Sequence, residues 1–155
     1  MARLEAGGKA PAFTLPDQDG NKVSLKDFAG GPVVVYFYPA DDTPGCTKEA
    51  CQFNDNLQAF SRSGARVVGI SPDGAAKHTK FREKYGLTFP LLSDPDHKVM
   101  EAYGAWGEKT MYGRKTVGTI RSTFLIDDKG KITRAWYNVR ADGHAAKVLE
   151  ELTPA

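Results

Sequence analysis

The run Pro32-Val33-Val34-Val35-Tyr36-Phe37 shows no polar alternation. A strand that buries one face alternates apolar and polar side chains, whereas a strand buried on both faces does not. The run is therefore predicted to be a central strand with helices on both sides, and any fold for this chain has to be built round it. The stretch that follows, Tyr38 to Cys51, holds both cysteines of the chain. From Pro44 the apolar spacing turns helical, with Ala50, Phe53, Leu57 and Phe60 at three- and four-residue intervals. That pattern runs to about Ser63, and Gly64 suits a helix terminator. A cysteine is thus set where a buried strand hands over to a helix N-terminus.

The rest of the chain supplies partners for that strand. Ala12 to Leu15 and Lys22 to Leu25 alternate about a polar turn, Asp17 to Asn21, and suggest a small hairpin at the edge of the domain. Ala65 to Ser71 is a second buried strand, Gly74 to Tyr85 a second helix closed by Gly86, and Thr88 to Ser93 a shorter strand. Asp94-Pro95-Asp96 caps a short helix running to about Tyr103. Gly104 to Gly118 reads as a loop, with Trp106, Met111 and Tyr112 in it. Thr119 to Ile126 and Lys131 to Asn138 are strands joined by the turn Asp127 to Gly130, and a helix begins at Asp142 or Gly143. Strand–helix–strand units give parallel neighbours and the late hairpin adds antiparallel ones. The expected architecture is α/β: a thioredoxin-like fold, a central mixed β-sheet flanked by helices, with an N-terminal β-hairpin. No linker, repeat or low-complexity tract divides it, so residues 1–155 are expected to form a single domain.

Composition excludes several functions. Twenty-one basic and 19 acidic residues leave a net charge of +2 in 155 residues, too little to suggest a nucleic-acid or membrane-surface partner. No apolar run approaches the roughly 18 residues of a membrane span. The N-terminus lacks the apolar core of a secretory signal, so the expected location is the cytoplasm. Two cysteines with no histidine nearby supply too few ligands for a closed zinc site, and no metal or other cofactor is expected. A close cysteine pair in a reducing compartment is then expected to be redox-active.

Thr43 suits the N-cap, and Pro44 suits the first helical position, where its missing N–H is not needed. Cys46 falls in the first turn, where unpaired N–H groups and the helix dipole favour an anion. A thiolate is the reactive form of cysteine. Cys46 and Cys51 are five apart. On an ideal helix that puts their Cα atoms roughly 8.6 Å apart, whereas a disulfide needs about 4.4–6.8 Å. Either the two never bridge, or the first turns of the helix unwind when they do.

Pro39-Ala40-Asp41-Asp42-Thr43-Pro44-Gly45-Cys46 matches the peroxiredoxin pattern Pro-x-x-x-Thr/Ser-x-x-Cys. Cys46-Thr47-Lys48-Glu49-Ala50-Cys51 resembles the variant in the peroxiredoxin Q, or bacterioferritin comigratory protein, subfamily, with a resolving cysteine five residues on. The resemblance extends over nearly the whole chain, including Phe89-Pro90-Leu91-Leu92-Ser93-Asp94 and Arg121-Ser122-Thr123-Phe124-Leu125-Ile126-Asp127. It implies a thiol-specific peroxidase acting on hydrogen peroxide and organic hydroperoxides in antioxidant defence.

The resemblance also assigns roles. Cys46 is the peroxidatic nucleophile, and Thr43 holds peroxide or thiolate through its hydroxyl. Pro39 shields the site from water, and Arg121 is the cation that favours the thiolate. Cys51 resolves the sulfenic acid as a Cys46–Cys51 disulfide, which thioredoxin or a similar dithiol reduces. Glu49 is either a plain helix-surface carboxylate or the group that orients Arg121. Resolution within one chain requires no dimer, so a monomer is expected. The alternative is a thioredoxin-type thiol–disulfide oxidoreductase, but that chemistry normally uses Cys-x-x-Cys and this chain has four intervening residues. His78, His97 and His144 are dispersed and read as surface residues.

Overall fold

The computed structural model describes residues 3–111 and 113–152. The two alternating segments near the N-terminus form antiparallel strands β1 (Thr14–Pro16) and β2 (Lys22–Ser24). The Asp17 carboxylate ties their turn by accepting the N–H groups of Asp19 and Asn21. The apolar run forms β3 (Val33–Phe37), with all five side chains at most 1% exposed. Helices α1 (Pro44–Asp55) and α2 (Leu57–Arg62) follow, then β4 (Arg66–Ser71), α3 (Ala75–Tyr85), β5 (Leu91–Ser93) and α4 (Lys98–Ala102). The chain continues through β6 (Trp106–Met111), β7 (Arg114–Thr119), β8 (Ser122–Ile126) and β9 (Ile132–Trp136) to α5 (His144–Leu152).

The main sheet has the order β5-β4-β3-β8-β9, with β3 in the middle. The β3–β4 and β4–β5 pairs are parallel, and the β3–β8 and β8–β9 pairs antiparallel. Alternation along β3 divides the interior in two. Val33, Val35 and Phe37 pack with Leu15, Phe28, Met100 and Tyr103. Val34, Tyr36 and Tyr38 pack with Phe53, Phe60, Phe81 and Val148 from the helices. Each large apolar side chain so buried stabilises the fold by about 1.5–3 kcal/mol. This is the expected thioredoxin-like arrangement, with the hairpin β1–β2 beside it. Among the described residues no helix is long and apolar enough to cross a membrane.

Three details depart from the sequence reading. The helix expected from Pro44 to about Ser63 is broken at Asn56 (φ −98°, ψ 7°). Its side-chain amide donates to the Gln52 carbonyl at 2.8 Å, a local side-chain bond of the kind that competes with the helical ladder. The expected loop from Gly104 to Gly118 is instead an antiparallel ribbon, β6–β7, in register from Trp106↔Thr119 to Met111↔Arg114. Most of β7 is exposed, so its sequence carries no apolar period to read, and its glycines look like loop punctuation. Gly113, at φ +78°, serves the ribbon's turn; Tyr112 lies outside the described residues.

The third departure matters most for the site. Thr119 to Ile126 is not one strand: Thr119 closes β7 and Ser122 opens β8. Arg121 sits at that junction, its carbonyl accepting the Val139 N–H at 2.9 Å. Because Ser122 is opposite Phe37, the junction lies beside the end of β3 from which the cysteine-bearing segment departs.

Candidate active site

Beyond β3 the chain turns through Pro39 to Thr43 and enters α1 at Pro44. Thr43 occupies the N-cap position with extended backbone (φ −100°, ψ 155°), and Pro44 is the first helical residue. The Thr43 side chain makes no capping bond; its hydroxyl donates to the Ala40 carbonyl at 2.9 Å. That bond leaves its oxygen lone pairs as acceptors. Pro39 is half-buried. Cys46 is the third residue of the helix and is 1% exposed.

Arg121 completes the site. Its Nη2 donates to Cys46 Sγ at 3.2 Å and its Nη1 to Glu49 Oε1 at 2.7 Å. Cys46 and Glu49, three apart on α1, share one face of the helix, and the forked guanidinium spans both. Gly45 makes room for it: a Cβ there would stand 3.3 Å from Arg121 Nη2. The cation is held firmly charged, since Glu49 and Cys46 together outweigh the burial that works against it. Glu49 itself is fully buried and its Oε2 has no partner among the described residues. Burial raises its pKa from 4.5 to about 7, with the attraction of Arg121 only partly offsetting this.

Cys51 has a different setting. It lies farther along α1, half-buried, and its thiol is pushed up in pKa by burial and by the Asp55 carboxylate one turn on. Both cysteines are free thiols. With both in one intact helix, their Cα atoms are too far apart to bridge without unwinding. Gln52, next to Cys51, donates to Asp142 at 2.7 Å and accepts the Gly143 N–H at 2.8 Å.

Comparison with known proteins decides the family, because the AhpC/TSA family pattern matches residues 6–135. The chain belongs to the AhpC/TSA family. A Mycobacterium tuberculosis protein grouped with the peroxiredoxins is 61% identical over 151 residues, 97% of this chain and 96% of that one. Peroxiredoxin Bcp of Escherichia coli K12 is 47% identical over 152 residues, 98% and 97% of the two chains. Peroxiredoxin Q of Xanthomonas campestris is similar in structure, with a TM-score of 0.88 at 40% identity over 96% and 97%. Within the family this is a peroxiredoxin of the peroxiredoxin Q, or bacterioferritin comigratory protein, subfamily. It is a thiol peroxidase, and it therefore takes a peroxide substrate and needs a reductant.

The fold of this peroxiredoxin brings Cys46, Arg121 and Glu49 into direct contact, with Thr43 and Pro39 on the adjoining loop and Cys51 apart from them. It also places near the site groups that the sequence reading passed over. Lys109, on the ribbon taken for a loop, is half-buried and donates to the Thr119 carbonyl at 2.8 Å. Its pKa is lowered by burial and then by Arg121, with Cys46 acting in the opposite sense. Tyr36, beneath α1, stacks on Phe53 at 4.6 Å between ring centroids, and its buried hydroxyl has no partner among the described residues. Burial pushes its pKa up, with Glu49 and Cys46 adding to the effect.

The histidines also differ from expectation. His78 is fully buried against Asp41. His144 is 4% exposed, bonded to Thr123 Oγ1 at 2.9 Å, and lowered to about 4 by burial. His97 stacks on Trp106 with ring centroids 3.6 Å apart. The one available signal for His78 was its spacing from Phe81, which puts both on one face of α3.

Proposed function

We propose that Cys46 is the peroxidatic nucleophile and that Cys51 resolves it within the same chain. The Cys46 thiolate attacks the distal peroxide oxygen. The O–O bond breaks, the alcohol or water leaves with a proton, and Cys46 becomes a sulfenic acid. Arg121 favours the thiolate and steadies the charge that develops on the leaving oxygen. Thr43 holds the peroxide through its hydroxyl, Pro39 keeps water out, and Glu49 orients the guanidinium. Cys51 then attacks Cys46 Sγ, the hydroxyl leaves as water, and a Cys46–Cys51 disulfide forms once α1 has partly unwound. Thioredoxin or a similar dithiol returns two electrons. The observation that carries this reading is the 3.2 Å bond from Arg121 Nη2 to the buried Cys46 sulfur.

The substrates are hydrogen peroxide and organic hydroperoxides. A structural study of the related Xanthomonas campestris protein concerns its alkyl peroxide reduction. The enzyme works as a monomer in the cytoplasm, as a single domain spanning residues 1–155.

Non-reducing mass mapping after peroxide treatment tests the assignment. A Cys46–Cys51 bond is the expected product, and Cys51→Ser should complete one turnover and stop at the Cys46 sulfenic acid. Continued turnover by Cys51→Ser with thioredoxin, or efficient reduction of insulin disulfides with peroxide left untouched, would overturn it.

A further inference from the structure

Asp41 lies on the loop between β3 and α1, five residues before Cys46, and is 4% exposed. Its Oδ1 accepts the Tyr38 hydroxyl at 2.5 Å and its Oδ2 faces His78 Nδ1 at 2.6 Å. Its N–H donates to Asp73 Oδ2 at 2.6 Å. His78 Nε2 lies 3.0 Å from the Leu92 carbonyl. A carbonyl only accepts, so Nε2 carries a hydrogen, and a second proton lies between Nδ1 and Oδ2. Asp73 is fixed in turn by the Ser71 hydroxyl and Lys77. On the outer side Asp42, at φ +58°, is held by Lys84 and Tyr85.

The loop before Cys46 is thus bonded through side chains to α3, through His78 to β5 and through Asp73 to Ser71 at the end of β4, and the peroxide chemistry uses none of these bonds. The helix after Cys46 is held on its polar side by Arg121 to Glu49, by the exposed contacts of Gln52 to Asp142 and Gly143, and at its far end by Asn54, which donates to the Gly86 carbonyl and accepts from Thr88. A buried His–Asp pair adds little net stability over apolar packing of the same volume, so its contribution here is one of geometry.

We propose that Asp41 and His78 are positioning residues of the peroxide site: they keep the Pro39–Thr43 loop in place through the redox cycle, so that α1 unwinds against a fixed peroxide-binding edge. This rests on the reading that the disulfide forms by local unwinding. With the loop fixed, Thr43 keeps its bond to Ala40 and only the helix has to re-form after reduction. A supporting residue of this kind holds the reacting geometry to fractions of an ångström.

Two substitutions at one position separate positioning from bulk stability. The amide nitrogen of Asn reaches the place of His Nδ1, and that of Gln the place of Nε2. His78→Asn therefore keeps the donor to Asp41 and loses the bond to Leu92, and His78→Gln does the reverse. Both lose the ring, so a merely structural role lowers both thermal midpoints and affects Cys46 alike. The rate constant for hydrogen peroxide oxidising Cys46 is measured in a Cys51→Ser background, where no unwinding is needed. It should fall about tenfold or more in His78→Gln and stay within about threefold of the parent in His78→Asn. Equal rate constants for the two variants overturn the proposal. If neither folds, Asp41→Asn in the same background should lower the rate constant about tenfold, and an unchanged rate constant has the same overturning force.

Amide exchange of the full chain, reduced and oxidised, addresses the cycle. The Asp41 amide, bonded to Asp73, should keep its protection on oxidation while those of 47–52 lose it. Loss in both stretches overturns the fixed loop. Protection kept in both removes the unwinding reading itself, and the rate comparison then decides the roles of Asp41 and His78 in the first step.

Discussion

The two cysteines stand five residues apart on one helix, and their surroundings are opposite in sign. Cys46 is buried in the first turn with a guanidinium at 3.2 Å. Cys51 is half-buried, with burial and the Asp55 carboxylate both working against its thiolate. The difference teaches that reactivity here is a property of place along α1 rather than of cysteine. While the helix is intact, the sulfur of Cys46 has a cation against it and the Cys51 thiol is pushed up in pKa. Unwinding removes Cys51 from both burial and its fixed distance to Asp55, so the movement that brings it within bonding range also favours its ionised form. On the proposed mechanism, the resolving step is thereby tied to the first.

The contrast can be broken from either end. The largest effect is expected from Cys46→Ser, which should lower peroxide consumption with a thioredoxin system by roughly 10^3-fold or more. Arg121→Gln comes next, with a loss of about 10^2-fold in the rate of Cys46 oxidation by stopped-flow. Arg121→Lys should restore little of that loss, because an ammonium cannot span the sulfur and Glu49 together.

Glu49→Gln tests the carboxylate between the two cysteines. The folded protein raises the Glu49 pKa from 4.5 to about 7. A carboxyl raised on folding favours the folded form while protonated and loses that advantage as pH rises from 4.5 through 7. Protection of the wild-type α1 amides, relative to their intrinsic exchange rates, should therefore fall across that interval, and the Gln variant should show a flatter profile in the same measurement. Asp55→Asn should have the smallest effect. In the Cys46→Ser protein it should move the alkylation profile of Cys51 to lower pH, and in the otherwise wild-type chain it should leave the first oxidation unchanged.

How much of this was legible depended on how far the residues lie apart in the chain. Pro39, Thr43, Cys46 and Cys51 form one contiguous stretch, so strand pattern, helix start and spacing are all written there. The central strand could be read because burial on both faces removes its polar alternation. Arg121 lies 75 residues from Cys46, and only the family resemblance singled it out; as a sequence position it is one arginine among apolar neighbours. Its real location, a junction between two strands, was hidden because Thr119 to Ile126 reads as one continuous run. The ribbon β6–β7 was not legible, because β7 is mostly exposed and β6 only half-buried, which leaves no apolar period. Asp41 and His78 were missed for a related reason: a polar pair satisfied inside the protein looks, in sequence, like two solvated residues.

The break at Asn56 bears on the pace of the cycle. Cooperativity in a helix passes along continuous backbone bonds, so disorder that starts near Cys46 has a natural stop before α2, which keeps Phe60 in the core. On the proposed mechanism the unit that melts and re-forms is then no longer than α1, whose far turn is tied by Asn54 to Gly86 and Thr88. Helix–coil relaxation of a free peptide takes roughly 0.1–1 μs, whereas local unfolding of a packed element takes from microseconds to about a second, and α1 packs Ala50 and Phe53 into the core. The time that resolution takes is therefore set by withdrawing those side chains from the core, and not by the helical turns themselves.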